Sequence, residues 1–414
     1  MKRYESYKPS GISWIGEIPS HWEVKRLGAF LARFNSDSGD TNIKIGLENI
    51  TSWTGKFIKT DTIYDGKGSY FEKGDILYGK LRPYLAKTWV AEFNGQAVGD
   101  FYVLRCKNSS YNHFVKLLLL NKQLVYLLDS FTYGAKMPRV SWNDMSRVYI
   151  PYPPLDEQKK IVEYLSTKTS LIDAQQSARE KEIRLLEELK QAEIANVVTR
   201  GLNPDVPMKD SGIPWIGKIP SHWETPFLFQ FCNEHFISNK NVHHQNLLSL
   251  SYGKIIRKDI NKTDGLLPKS FDTYQIVEPG NIILRLTDLQ NDQKSLRVGL
   301  AKEEGIITSA YVALEVKDKA LPEYLYLILH TYDIKKVFYS MGGGLRQSLN
   351  FDGLRKLNIP IPPLEEQRAI VEYIEQKNKA IDDMIANLRA EIDFLTEYKQ
   401  RLIADAVTGQ IKID

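Results

Sequence analysis

A chain of 414 residues is too long for one ordinary domain, and about two globular units are expected. Its 43% hydrophobic and 11% aromatic residues suffice for real cores, which argues against disorder, while the opening MKRYESYKPSG and apolar runs such as residues 115–120 fit neither a signal peptide nor a membrane span. The two cysteines, Cys106 and Cys232, lie outside any metal-ligand spacing and read as small buried hydrophobes, so a soluble cytoplasmic protein with no membrane partner, disulfide framework or zinc knuckle is expected.

Taken in chain order, the first element is SGISWIGEIPSHWE at residues 10–23, which returns as SGIPWIGKIPSHWE at 211–224, 201 positions later. PPLDEQKKIVEYL from Pro153 returns as PPLEEQRAIVEYI from Pro362, and KQAEIANVVT from Lys190 as KQRLIADAVT from Lys399, both offset by 209. Fixed order at nearly fixed spacing means two copies of one unit, each a globular part followed by a helix. Such a chain presents two similar surfaces about a pseudo-twofold axis and suits a target with two halves.

Between the repeats, GDILYGKL, TWVAEF and DFYVLRC in the first copy, and GNIILRLT, SAYVALEV and RKLNIPI in the second, are β-branched and aromatic runs that read as strands. Apolar residues at helical spacing predict one helix over 112–130 and another over 322–340. The expected domains are therefore α+β.

The segments that end each copy carry a heptad seam. It runs from Val371 through Ile374, Ile381, Ile385 and Leu402 to Ala406, and in the first copy from Val162 through Leu165, Ile172, Gln176, Arg179 and Lys190 to Val197, with a more polar middle. Pro154 and Pro363 with acidic residues behind them suit helix starts, and Gly201 and Gly409 suit helix ends. Each rod should be about 65 Å long, and two apolar stripes should cover each other in an antiparallel coiled coil. The competing arrangement docks each helix only on its own domain.

Charge divides along this repeat. Lys and Arg against Asp and Glu number 21 and 14 in residues 1–152, 8 and 9 in 153–202, 19 and 17 in 203–361, and 7 and 11 in 362–414. Positive charge thus sits in the globular parts, as in a polyanion-binding pair of domains on an acidic scaffold, although an ordinary mixed surface accounts equally well for the second domain.

The doubled SGIxWIGxIPSHWE and the doubled IPxPPLxEQ, at residues 150–158 and 359–367, resemble the specificity subunit of type I restriction-modification systems over essentially the whole chain. The resemblance implies a target recognition domain at 1–152, a central spacer helix at 153–202, a second recognition domain at 203–361 and a carboxy-terminal spacer helix at 362–414. It also implies a non-catalytic subunit without a cofactor, which selects double-stranded DNA for two methyltransferase (modification) subunits and for motor-nuclease (restriction) subunits. The residues agree on the negative side: there is no Asn-Pro-Pro-Tyr or Asp-Pro-Pro-Tyr, no G-x-G-x-x-G after a strand, and no G-x-x-x-x-G-K-[ST] loop. Residues 342–344 are a glycine run, but Leu345 and Arg346 follow where a phosphate loop needs Lys and Ser or Thr. His235, His243 and His244 lack fitting partners for a metal site, and Asp75 and Glu92 lack the surroundings of a nuclease centre.

Base edges are read by side chains with paired donors or acceptors, held on loops that a rigid sheet aims into a groove. Two stretches per domain fit. The first holds Tyr78, Lys80, Arg82 and Tyr84, matched loosely by Arg285, Thr287, Gln290 and Asn291. The second holds Lys136, Arg139, Ser141 and Asn143, against Arg346, Gln347, Ser348 and Asn350. Any one of these is also readable as a solvated surface residue. Trp142 and Phe351 read as core anchors, and Trp14, His21 and Trp22, repeated unchanged as Trp215, His222 and Trp223, read as structural because the copies otherwise differ. Unlike loops predict two different half-sites, and half-sites read from one face should lie about one helical turn, roughly 34 to 36 Å, apart. A stand-alone DNA-binding regulator or anti-restriction protein of the same fold is the rival reading.

Overall fold

The computed structural model describes residues 2–36, 43–107, 111–242, 244–259, 270–292, 296–341 and 348–413. It divides into two compact units, Met1–Glu180 with Arg389–Asp414, and Lys181–Leu388, so each unit takes one end of both long helices.

The first unit is built on a four-stranded antiparallel sheet in the order Leu31–Phe34, Phe101–Cys106, Ile76–Gly79, Thr88–Val90. Alternation sends Ile76, Tyr78, Tyr102 and Leu104 into one core, and Leu77, Phe101, Val103 and Trp89 into another on the opposite face. Both faces are covered, which is why these strands read as continuous apolar runs. A three-stranded sheet of Lys44–Ile45, Gly95–Ala97 and Ser69–Phe71 closes the second core. The segment 112–130, expected as one helix, is two, Asn112–Leu119 and Lys122–Ser130. The Asn121 side chain accepts from the amides of Gln123 and Leu124 at 3.0 and 3.2 Å and so caps a new helix.

The second unit repeats the plan. Its four-stranded sheet runs Cys232–His235, Val312–Val316, Ile282–Leu284, Val298–Leu300, with Ile282, Leu284 and Leu314 on one face and Ile283 and Ala313 on the other. The helix expected over 322–340 stops at Ile334, where Lys336 takes a left-handed φ of 60° before a short 3-10 turn, Val337–Ser340. The second unit forms a hairpin of Leu248–Ser251 and Lys254–Arg257, where the first unit has a single antiparallel bridge between Ile50 and Phe57.

The long helices are Leu155–Arg200 and Leu364–Val407, and they pack antiparallel. In the first unit the amide of Gln176 donates to Thr396 at 2.7 Å, Arg179 pairs with Glu391 at 3.0 Å, and Lys399 holds Asp173. In the second unit Lys190 pairs with Asp382 at 2.7 Å, and Tyr373 donates to Glu193 at 2.7 Å. Asp173 with Lys399 and Asp382 with Lys190 are one bond made twice, since each pair is the other displaced by 209 residues. Seam residues Leu165, Ile172 and Leu402 are buried in the first unit, as are Val197, Ile374, Ile381 and Ile385 in the second. The polar middle of the first helix is thus the place where the partner helix supplies matching polar groups.

Each long helix begins on the doubled motif that precedes it. Trp22 and Trp223 are fully buried and donate through Nε1 to Glu157 and Glu366 at 2.9 and 3.0 Å, while His21 and His222 bind the same carboxylates at 2.5 and 2.8 Å. Gln158 and Gln367, also buried, accept the amides of Tyr111 and Leu321 at 2.9 Å and donate to the carbonyls of Pro153 and Pro362. The glutamate therefore ties the helix to the opening motif and the glutamine ties it to the internal helix. Gly201 and Gly409 end the two helices with left-handed φ of 74° and 75°.

Candidate nucleic-acid interface

In the first unit the chain leaves the strand Ile76–Gly79 and turns at Arg82, whose φ of 51° is left-handed for a residue with a Cβ. That turn is pinned: the amide of Arg82 donates to the Pro138 carbonyl at 2.7 Å, and the amide of Val140 to the Lys80 carbonyl at 3.2 Å. The two stretches separated by more than fifty residues in the sequence thereby form one surface, carrying Lys80, Arg82, Tyr84, Lys136 and Arg139.

Asp100 organises it. Its carboxylate receives Nε and Nη2 of Arg139 at 2.9 and 2.8 Å, and Nζ of Lys80 lies 3.7 Å away. The Arg139 hydrogen bonds hold the Asp100 carboxyl below the usual carboxylate range, against the opposing effect of burial. Arg82, Tyr84 and Lys136 remain exposed, with no ion-pair partner among the described residues for either cation. Ser141 is committed to its own chain, since its Oγ accepts the Asp144 amide at 3.1 Å and caps the helix Trp142–Arg147, on whose first turn Asn143 is exposed.

Tyr78 is a correction. It is 1% exposed and faces the core, because the strand's alternation points it inward with Ile76, so it presents nothing to a ligand.

The second unit builds the same turn from other residues. Asp288 has the left-handed φ of 56° at the position that Arg82 holds in the first, and the Leu349 amide donates to the Leu286 carbonyl at 2.9 Å, as Val140 does to Lys80. Arg285 lies 3.5 Å from Asp292, and Asn291 donates to Asp288 at 2.7 Å. Gln290 and Asn291 are exposed, and Thr287 is half-buried. Asn350 accepts the Gly353 amide at 3.1 Å and caps Phe351–Leu354, the role Ser141 plays in the first unit, while Ser348 is exposed. Arg346 and Gln347 lie outside the described residues, as do residues 342–344 and His243.

Sequence reasoning missed Asp100 and Arg297. Asp100 carried one signal, an acid directly before a predicted strand. Arg297 is fully buried and gathers the carbonyls of the 285–292 loop. Its only signal was a lone arginine before an apolar strand, where the first unit has Lys87, which instead reaches the Leu47 carbonyl at 2.7 Å.

The remaining candidates for chemistry are structural. Asp75 is buried, receives Arg105 at 2.7 and 2.8 Å, and caps the amide of Glu72. His235 is buried against the Ile276 carbonyl, and His244 lies 3.4 Å from Glu304. Burial pushes the thiols of Cys106 and Cys232 up to about 12. Among the described residues no group of three or more His, Cys, Asp or Glu side chains could hold a metal ion, and no helix is long and apolar enough to cross a membrane.

Comparison with known proteins gives one answer. The family described as Type I restriction modification DNA specificity domain matches residues 19–185 and 225–393. The putative type I restriction enzyme MjaX specificity subunit of Methanocaldococcus jannaschii is 26% identical over 96% of both chains. A chain solved in work on complex assembly and conformational transition of the type I R-M system superposes with a TM-score of 0.70 at 19% identity, covering 95% of this chain and 99% of that one. The HsdS subunit of Thermoanaerobacter tengcongensis superposes with a TM-score of 0.54 at 20% identity, over 95% and 98%.

Proposed function

The chain belongs to the type I restriction-modification DNA specificity family, and we propose that its two recognition domains read the two unequal halves of one asymmetric DNA target. It is the DNA specificity subunit of such a system, the non-catalytic member of a multisubunit complex.

Residues 1–152 and 203–361 are taken as the recognition domains, and 153–202 and 362–414 as the spacer helices. The observation that carries the reading is the pinned turn made twice on one backbone plan with different side chains: Arg82 and Asp288 share a conformation but not a chemistry. Conserved geometry with exchanged donors and acceptors is what reading two different base sequences requires. Lys80, Arg82, Tyr84, Lys136, Arg139 and Asn143 would face the first half, and Arg285, Thr287, Gln290, Asn291, Arg346, Gln347 and Ser348 the second. Ser141 and Asn350 would act through the helices they cap.

The paired helices would fix the spacer between half-sites and dock two methyltransferase subunits, with motor-nuclease subunits joining the complex. Large apolar side chains left in solvent support a docking role: Phe394 is 70% and Leu171 58% exposed in the first unit, and Met384 55% in the second. Methylome sequencing of a host carrying the chain, compared with one carrying Arg82→Ala, tests the assignment. Relaxed choice in one half with the other unaltered is expected; equal loss in both halves would refute modular reading.

A further inference from the structure

Resting on the reading of residues 285–292 as a DNA-facing loop, we infer that Arg297, which no longer has any surface of its own, is the positioning residue that sets base choice in the second half of the target.

A guanidinium with 0% exposure is costly unless its donors are met. Here Nη1 donates to the carbonyls of Arg285 and Thr287 at 3.1 and 2.9 Å, Nη2 to those of Asp288, at 3.2 Å, and Asp292, and Nε to the Tyr339 hydroxyl at 3.0 Å. Tyr339 in turn donates to the Asp292 carbonyl at 3.2 Å, and the Arg297 amide is received by Asp333. Four carbonyls from one loop thus converge on one planar cation. They include the carbonyl of Asp288, whose left-handed backbone the loop must sustain.

Those carbonyls point inward, so the loop's outward side chains, Gln290 and Asn291, are presented on a backbone fixed from beneath. Paired hydrogen bonding to a base edge depends on such fixed placement, because a loop free to shift by an ångström satisfies several bases about equally. Lysine could not replace this: it offers three donors from one point, whereas the guanidinium fork spans carbonyls on both sides of the turn. The first unit holds its loop by the separate Asp100 and Arg139 pair, so the effect of Arg297 is confined to the second half.

The test is selection from a duplex library randomised at both half-sites, using the full chain in its complex, with Arg297→Lys, Arg297→Met, Tyr339→Phe, and the double variant Gln290→Ala with Asn291→Ala. Arg297→Lys and Arg297→Met are expected to flatten base preference in the second half by about tenfold and to leave the first half sharp; Tyr339→Phe should do the same to a smaller degree and decides the matter if the arginine variants do not fold. A folded arginine variant with undiminished preference in the second half, or parallel loss in both halves, overturns the inference. If the double variant flattens the second half and the arginine variants do not, the positioning role alone is wrong. If the double variant changes nothing, the loop does not face bases and the inference falls with that assignment.

Discussion

The indole of Trp22 donates to Glu157 at 2.9 Å across 135 residues of chain. The same bond joins Trp223 to Glu366 at 3.0 Å. Two motifs that look unrelated in the sequence, HWE and PPLxEQ, are thus the two sides of one joint between a recognition domain and the helix that follows it.

Removing the acceptor should be expensive. Glu157→Ala leaves a fully buried indole N–H unpaired, which costs about 1–3 kcal/mol, and Glu157→Gln, which keeps an acceptor, should cost less. Calorimetry on both variants, and on the matching changes at Glu366, checks this. A melting temperature unmoved by Glu157→Ala would mean the joint contributes nothing to stability.

The helix ends should respond unequally to added bulk. A Cβ on Gly409 would come 2.4 Å from Pro19 Cδ, whereas one on Gly201 would meet nothing closer than the Glu366 carboxylate at 3.0 Å. Both substitutions to Ala incur about 1–2 kcal/mol for the left-handed backbone, and Gly409→Ala also displaces the rigid proline. Urea unfolding should therefore rank Gly409→Ala as the more damaging; the reverse order would contradict the packing described.

Asp333 gives the second unit a pH dependence. Burial raises its carboxyl to about 6, opposed by the Arg297 amide that donates to it, and its Oδ1 has no hydrogen-bond partner among the described residues. The folded state therefore takes up a proton that the unfolded state, with a carboxyl near 4, does not hold between about pH 4 and 6. Stability from this group is fully present below the unfolded value and falls as pH rises to the folded one, by roughly 2–3 kcal/mol. Asp333→Asn should flatten that part of a stability-against-pH curve; a slope identical to that of the unaltered protein would rule the group out.

Lengthening both long helices by one heptad, near Gln176 in the first and at the facing turn near Ile392 in the second, preserves the seam and adds about 10 Å. The accepted spacer should grow by up to about three base pairs, with both half-sites unchanged in a methylome. Altered half-site sequences with an unaltered spacer would defeat the ruler role.

Duplication was legible because the two copies can be read against each other, and the coiled-coil seam, the helix ends and the strand-rich domains because each depends on local periodicity or on residues a few positions apart. The break at Asn121 was missed, because apolar periodicity on either side of it reads as one continuous helix over 112–130. The candidate interface was legible only in part. Tyr78 and Arg82 lie four positions apart in a basic, aromatic stretch, and composition cannot say that strand alternation buries one while a left-handed turn exposes the other. Asp100 reaching Arg139 and Arg297 reaching the 285–292 carbonyls were beyond reach, since the value of a charge depends on what the folded chain places against it. Periodic burial along one element is written in sequence; the partner of a buried or paired charge is chosen by packing between elements, and only the tertiary structure decides it.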